Sequence, residues 1–273
     1  MYQLDDLLHL MARLRDPQHG CPWDLRQDWR SIVPHTLEEA YEVADVIERG
    51  SFAELPGELG DLLFQVVYYS QLGREEGRFG FAEVVDAITR KLVRRHPHVF
   101  PDGDLYGPPD APRLDEAQIT RRWEEIKAEE RAERAEVPQQ LSLLDDVPAG
   151  LPALSRSVKL QKRAATVGFD WPEPLPVFDK VREELDEVLQ AMSDGDPQQV
   201  AEELGDLLFS VSNLARHLSV DPEAALRQAN AKFERRFRFI EQNVDSIERS
   251  SLDELEALWQ RAKRAEKQTP GCG

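Results

Sequence analysis

Cysteine is almost missing from this chain: Cys21 and Cys272 are the two thiols among 273 residues. Two thiols build neither a disulfide framework nor a zinc site, and their scarcity fits a reducing compartment. Long apolar runs are missing as well. No stretch approaches eighteen apolar residues, and Met1-Tyr2-Gln3-Leu4-Asp5-Asp6 has neither a basic nor an apolar leader region. The expectation is a soluble, cytoplasmic protein with no membrane partner. No segment alternates polar and apolar residues as a strand would. Positive charge is in deficit, with 34 Lys and Arg against 52 Asp and Glu and a net charge of −18. That balance argues against a nucleic-acid partner, because duplex phosphates need clustered Lys and Arg. It leaves room for a small polyanion that arrives with its own divalent metal.

What remains is helical periodicity, and the expected fold class is all-α. Leu4, Leu7, Leu8, Met11 and Leu14 predict an amphipathic helix that stops before Pro17. Thr36-Leu37-Glu38-Glu39 reads as a capping box opening a second helix, ended by Gly50. Ser51-Phe52-Ala53-Glu54 reads as another, opening a third. The stripe Leu59, Leu62, Leu63, Val66, Val67 and Ser70 has a helical period and is expected in a core or a dimer interface. A helix is expected from Phe81 to Arg95, terminated by His96-Pro97-His98-Val99-Phe100. Residues 101–113 read as a loop and residues 116–136 as a charged helix.

Carboxylates carry the chemistry. Glu184 and Glu187 lie three apart, and so do Glu203 and Asp206, with sixteen positions from Glu187 to Glu203. Residues three apart share a helix face. Between the pairs, Gly195 reads as a helix stop, Asp196 as an N-cap and Pro197 as the first residue of the next helix. An antiparallel hairpin turning at Gly195 would bring four acidic side chains to one level, which calls for a cation. The same pattern occurs 145 residues earlier as Glu39, Glu42, Glu58 and Asp61, centred on Gly50. Glu58-Leu59-Gly60-Asp61-Leu62-Leu63-Phe64 matches Glu203-Leu204-Gly205-Asp206-Leu207-Leu208-Phe209. Gly20-x-x-Trp23 answers Gly168-x-x-Trp171. Lys91-x-x-Arg94-Arg95 answers Lys232-x-x-Arg235-Arg236, and Trp123-x-x-x-Lys127 answers Trp259-x-x-x-Lys263. The chain is therefore read as a tandem duplication. The first repeat spans residues 1–136, a linker 137–152, the second repeat 153–268 and a tail 269–273.

A donor set of oxygens alone suits Mg²⁺, with Mn²⁺ as a substitute, rather than Zn²⁺. Lys180 precedes Glu184 by one turn, Lys232, Arg235 and Arg236 share a later helix, and Trp259 and Lys263 place an aromatic face beside a cation. Together these describe a site for a nucleotide polyphosphate. A single Glu-x-x-Glu or a single basic turn is ordinarily a solvated helix face. The mirrored duplication is what sets these apart. The repeats differ at one cation: Lys180 has His35 as its counterpart, so weaker or no turnover is expected at the first repeat's carboxylates.

Cys21-Pro22-Trp23-Asp24, Glu38-Glu39-x-x-Glu42 with Glu58-Leu59-Gly60-Asp61, His96-Pro97-His98-Val99-Phe100, and Glu183-Glu184-x-x-Glu187 with Glu203-Leu204-Gly205-Asp206 resemble the MazG family. This family falls within the all-α NTP pyrophosphohydrolases, and the likeness covers nearly the whole chain as two tandem helical-bundle repeats. The resemblance implies a Mg²⁺-dependent homodimer that cuts nucleoside triphosphates between the α- and β-phosphates. The products would be a monophosphate and pyrophosphate, with broad base tolerance and a role in nucleotide-pool clearance. It implies that the second repeat is the catalytic one. Glu184, Glu187, Glu203 and Asp206 would hold metal, and Lys180, Lys232, Arg235 and Arg236 would hold phosphates. Trp259 and Lys263 would lie near the nucleotide, with Glu183 a candidate general base. Gln199 stands four before the second-hairpin glutamate, where some relatives carry a basic residue. The competing reading is a non-catalytic helical dimer that senses nucleotide or metal.

Overall fold

Proline opens five of the helices, where its missing N–H leaves no helical bond unmade: Pro34, Pro56, Pro174, Pro197 and Pro222 all sit in first turns. The structure is a computed structural model that describes residues 1–107, 115–134, 142–145 and 147–268. The predicted tail, parts of the predicted linker (137–141 and 146) and the end of the first-repeat helix at 135–136 lie outside the described residues. Among the described residues there are ten α-helices and no strand. None of those helices is long and apolar enough to cross a membrane.

The chain divides into two compact units, Met1–Arg134 and Ala135–Gly273. The first holds α1 (Leu4–Leu14), α2 (Val33–Glu48), α3 (Leu55–Glu75), α4 (Phe81–Arg95) and α5 (Glu116–Arg134). Here α2 pairs with α3 as a hairpin, and α1 and α4 pack on α3. Met11, Ile32, Val67, Tyr68 and Leu72 form the buried centre, flanked by Leu7, Leu8, Trp29, Phe64, Tyr69 and Phe81. The second unit holds α6 (Ala153–Ala165), α7 (Pro174–Asp194), α8 (Pro197–His217), α9 (Pro222–Gln242) and α10 (Leu252–Gln268). Its hairpin is α7–α8, with α6 against α8 and α10 against α9.

Both hairpins turn at a left-handed glycine, Gly50 at φ +69° and Gly195 at φ +74°. The stops differ in their hydrogen bonds. At Gly50 the N–H bonds the Ile47 carbonyl and that of Ser51 bonds the Val46 carbonyl, a Schellman closure. At Gly195 the N–H bonds the Ala191 carbonyl alone. The next residue, Asp196, already caps α8 by accepting from the Gln198 and Gln199 N–H groups. Asp196-Pro197 thus restarts the helix at once, whereas Ser51-Phe52 cannot.

Two expected caps are corrected. Thr36 lies one turn inside α2, which Pro34 opens from Val33, and its hydroxyl donates to the Ile32 carbonyl at 3.1 Å. Ser51 to Glu54 form a turn ahead of α3 rather than a capping box; the Ser51 hydroxyl accepts from Arg49 at 3.1 Å. The predicted apolar stripe also divides. Val67 and Ser70 are buried, while Leu59, Leu63 and Val66 are exposed, as are their counterparts Leu204, Leu208 and Val211.

A Cβ on residue 195 would meet no neighbour, so strain is the whole cost of adding one. Gly195→Ala is expected to destabilise the second unit by about 1 kcal/mol, read as a lower denaturant midpoint at unchanged slope.

Candidate active site

Each hairpin faces two acidic pairs toward each other across its turn. On α7–α8, carboxylate oxygens of Glu184, Glu187 and Glu203 lie within 4.8 Å of one another; on α2–α3, those of Glu39, Glu58 and Asp61 do the same. Three of four predicted carboxylates converge in each case, and they are a different three. Asp206 and Glu42 stand outside these groups, both exposed. Among the described residues these are the two clusters able to hold a cation.

Crowding shows in the protonation of the carboxyls. Glu187 is pushed above the usual carboxylate range, first by the hydrogen bond it shares with Glu184 and then by desolvation. Glu39 is pushed the same way, first by burial, then by its hydrogen bond with Glu42 and the charge of Asp61. Glu184 is buried, and its counter-charge is Lys180, whose Nζ lies 2.9 Å from it and donates to Glu183 at 2.8 Å. Glu183 first, and Glu184 second, hold that ammonium above the usual lysine range. Glu183 belongs to this ion pair, not to the oxygen cluster. In the first unit His35 lies 3.6 Å from Glu38, the counterpart of Glu183, and its ring packs edge-on to Trp23.

The basic and aromatic residues form a second group on α9 and α10. Arg236 lies with its guanidinium carbon 5.4 Å from the centre of the Trp259 ring, and Trp259 packs on Phe233 at 5.3 Å. Lys232 and Arg235 are exposed on α9, and Lys263 is half-buried one turn after Trp259. In the first unit His96 closes α4 by donating from Nδ1 to the Leu92 carbonyl at 2.6 Å, and packs edge-on to Trp123 at 5.2 Å. That agrees with its reading as a helix terminator. The Lys127 side chain lies outside the described residues.

Sequence reasoning missed three sets of residues. Arg15, buried, holds the Cys21-Pro22-Trp23-Asp24 loop by donating to the Asp24 carbonyl, and pairs with Glu75 at 2.7 Å. Tyr68 donates to the same carbonyl at 2.9 Å. No local pattern announces this network, because its members come from α1, a loop and α3. Asp170 is gripped by Arg216 and His217, tying the segment before Trp171 to the end of α8. The third set is Glu130 and Glu266, which bind the repeated arginines. Here a signal existed: the offset of 136 relating Trp123 to Trp259 also relates Glu130 to Glu266.

The family model of the MazG nucleotide pyrophosphohydrolase domain matches residues 27–100 and again 174–239, each match containing one acidic hairpin. The chain belongs to the MazG family. It is 51% identical over 272 residues to the nucleoside triphosphate pyrophosphohydrolase of Escherichia coli K12, covering 97% of this chain and 99% of that one. It is 38% identical over 263 residues to the nucleoside triphosphate pyrophosphohydrolase/pyrophosphatase MazG of Thermotoga maritima, covering 95% of each. An uncharacterized Bacillus subtilis protein, YabN, is 38% identical over 265 residues, with this MazG chain matching 51% of its length. The tandem all-α repeat inferred from the offsets is thus a MazG domain present twice.

Glu130 gives a pH test. Arg95 first, and Arg94 with it, hold its carboxyl down at about 2 from an ordinary 4.5, against the burial that would raise it. A depressed carboxyl stabilises the fold above its unfolded value, and that contribution is lost as pH falls from 4.5 toward 2. Within that window the first unit is expected to lose up to about 1.4 kcal/mol per pH unit from this group. Denaturant unfolding at pH 6 and pH 3 should show a smaller acid loss for Glu130→Gln than for the parent chain.

Proposed function

We propose that this MazG-family chain hydrolyses nucleoside triphosphates between the α- and β-phosphates, yielding monophosphate and pyrophosphate, with the α7–α8 hairpin as its centre. The observation that carries the reading is the convergence of Glu184, Glu187 and Glu203 oxygens from two facing helices. The names of the Escherichia coli and Thermotoga maritima relatives agree with it.

The donors are all carboxylate oxygens, which fits Mg²⁺, or Mn²⁺ in its place, better than a metal that seeks nitrogen or sulfur. Glu184, Glu187 and Glu203 would hold the ion, with Asp206 one turn along the same face of α8. When bound, the ion supplies polarisation of phosphoryl oxygens and acidification of water. The remaining work belongs to the chain. Lys180 stands 2.9 Å from the buried Glu184 and offers its ammonium to phosphate. Lys232, Arg235 and Arg236 grip the phosphates, Arg by paired N–H groups and Lys as a point charge. Trp259 and Lys263 flank the nucleoside. Glu183, outside the oxygen cluster, is the carboxylate left to accept a proton.

In this reading residues 153–268 are the catalytic repeat and residues 1–136 a structural or weakly active one. The first hairpin keeps Glu39, Glu42, Glu58 and Asp61 but has His35 where the second has Lys180. The exposed stripes Leu59, Leu63 and Val66 and Leu204, Leu208 and Val211 support a homodimer that covers them. The family resemblance supports broad base tolerance and nucleotide-pool clearance, and a cytoplasmic setting is part of the same proposal.

Incubation with mixed triphosphates and Mg²⁺ should release monophosphate and pyrophosphate, and chelation should stop it. Glu203→Ala is expected to lower kcat/KM by at least about 100-fold, the loss of several kcal/mol of metal-assisted stabilisation. Glu58→Ala should stay within about threefold of the parent. Loss of turnover on Glu58→Ala alone would overturn the choice of hairpin. Orthophosphate release would mean cleavage at the γ-phosphate, and bound but unchanged nucleotide would mean a sensor.

A further inference from the structure

The carboxylate at the offset of the tryptophans meets the arginine pair in both units, but in two different ways. In the first unit Glu130 is 5% exposed and takes both arginines: Arg94 and Arg95 donate to Oε1, and Arg95 also to Oε2. Both of its oxygens are engaged. In the second unit the Glu266 side chain is 32% exposed and holds one arginine firmly. Arg236 donates from Nε to Oε2 at 2.8 Å, and its Nη2 lies 2.8 Å from the same oxygen. Arg235 is 61% exposed and approaches Oε1 only to 3.7 Å.

Arg236 is therefore fixed on two sides. Glu266 grips one edge of the guanidinium, and the Trp259 ring lies against it at 5.4 Å. A guanidinium is planar with five donors in a rigid fork, so holding the Nε–Nη2 edge orients the Nη1 donors as well. An arginine side chain without such a partner spreads over many rotamers and must be ordered each time it binds.

We propose that Glu266 is a positioning residue for triphosphate binding: it fixes Arg236 against Trp259 so that the remaining donors meet phosphate in one orientation, and leaves Arg235 exposed beside it. In the first unit the buried Glu130 bonds both arginines through both of its oxygens, while the Arg94 side chain stays 50% exposed. The inference rests on the reading of α9 and α10 as the nucleotide-binding wall.

The test is Glu266→Gln in the full chain, assayed for pyrophosphate release and for equilibrium binding of a non-hydrolysable triphosphate with Mg²⁺. Neutralising one charge-assisted contact should raise KM and the analogue Kd by about tenfold, with kcat within about threefold because phosphate grip is lost equally from ground and transition states. Arg236→Gln combined with Glu266→Gln should be no worse than Arg236→Gln alone, since both remove the same positioned group. Glu130→Gln should lower the melting temperature and leave KM as it was. If Glu266→Gln melts early, Glu266→Asp, which keeps the charge and shortens the reach, should give a KM between the parent and Arg236→Gln. An unchanged KM and Kd in folded Glu266→Gln, or effects that multiply in the double variant, would overturn the proposal. A parent chain that releases no pyrophosphate would overturn the proposed reaction instead, and the binding arm would still decide the role of Glu266.

Discussion

Glu184 is buried with the carboxylates of Glu187 and Glu203 close enough to share one ion, and each of these groups repels the others. Bringing like charges together in a partly desolvated place is unfavourable unless a proton, a cation or a basic side chain answers them. All three kinds of answer are visible or invited here. Glu187 holds its proton more tightly than an ordinary carboxyl, Lys180 stands against Glu184, and the oxygens that remain suit a hard divalent ion. The helices around the cluster have to hold this geometry against its own repulsion. The two-residue turn at Gly195 and the immediate Asp196 cap keep α7 and α8 in register, so the repelling groups cannot slide apart along the helix axes.

The duplicated unit has kept its backbone plan and changed its electrostatics. Both copies have the hairpin, the left-handed glycine, the arginine pair and the carboxylate that receives it. The first copy turns by a longer loop, has His35 beside Glu38 where the second has Lys180, and binds both arginines to a buried glutamate. The second turns tightly, sets Lys180 against Glu184 of its cluster and holds one arginine closely, the other only at 3.7 Å. The second copy has a lysine against its cluster that the first lacks, and its glutamate holds one of the two arginines closely where the first copy's glutamate bonds both. A MazG domain present twice therefore need not mean two equivalent sites.

Much of the fold was legible because helices are local. The period of Leu4, Leu7, Leu8, Met11 and Leu14 marked α1, and Gly195-Asp196-Pro197 marked the second turn with its cap. The capping boxes misread at Thr36 and Ser51 failed for a local reason too: a proline just inside each helix set the start, and the hydroxyls took other partners. The apolar stripe from Leu59 to Ser70 shares one helical face by its period, yet α1, α2 and α4 together cover only part of it within the unit. Arg15 gave no sign at all, since its partners lie on a loop and on α3, far along the chain.

By itself the sequence determined the helices, the duplication, the two acidic hairpins and their kinship with the MazG family, because each rests on residue spacing that a single chain displays. Only the tertiary structure decided which three carboxylates of each four converge, and that Lys180 is already bound to Glu183 and Glu184. It alone decided that Glu266 holds Arg236 closely and Arg235 only at 3.7 Å, while Glu130 bonds both Arg94 and Arg95. Spacing along a helix says which side chains share a face. How far they reach across to another helix depends on rotamers, burial and competing partners, and those exist only once the helices are packed.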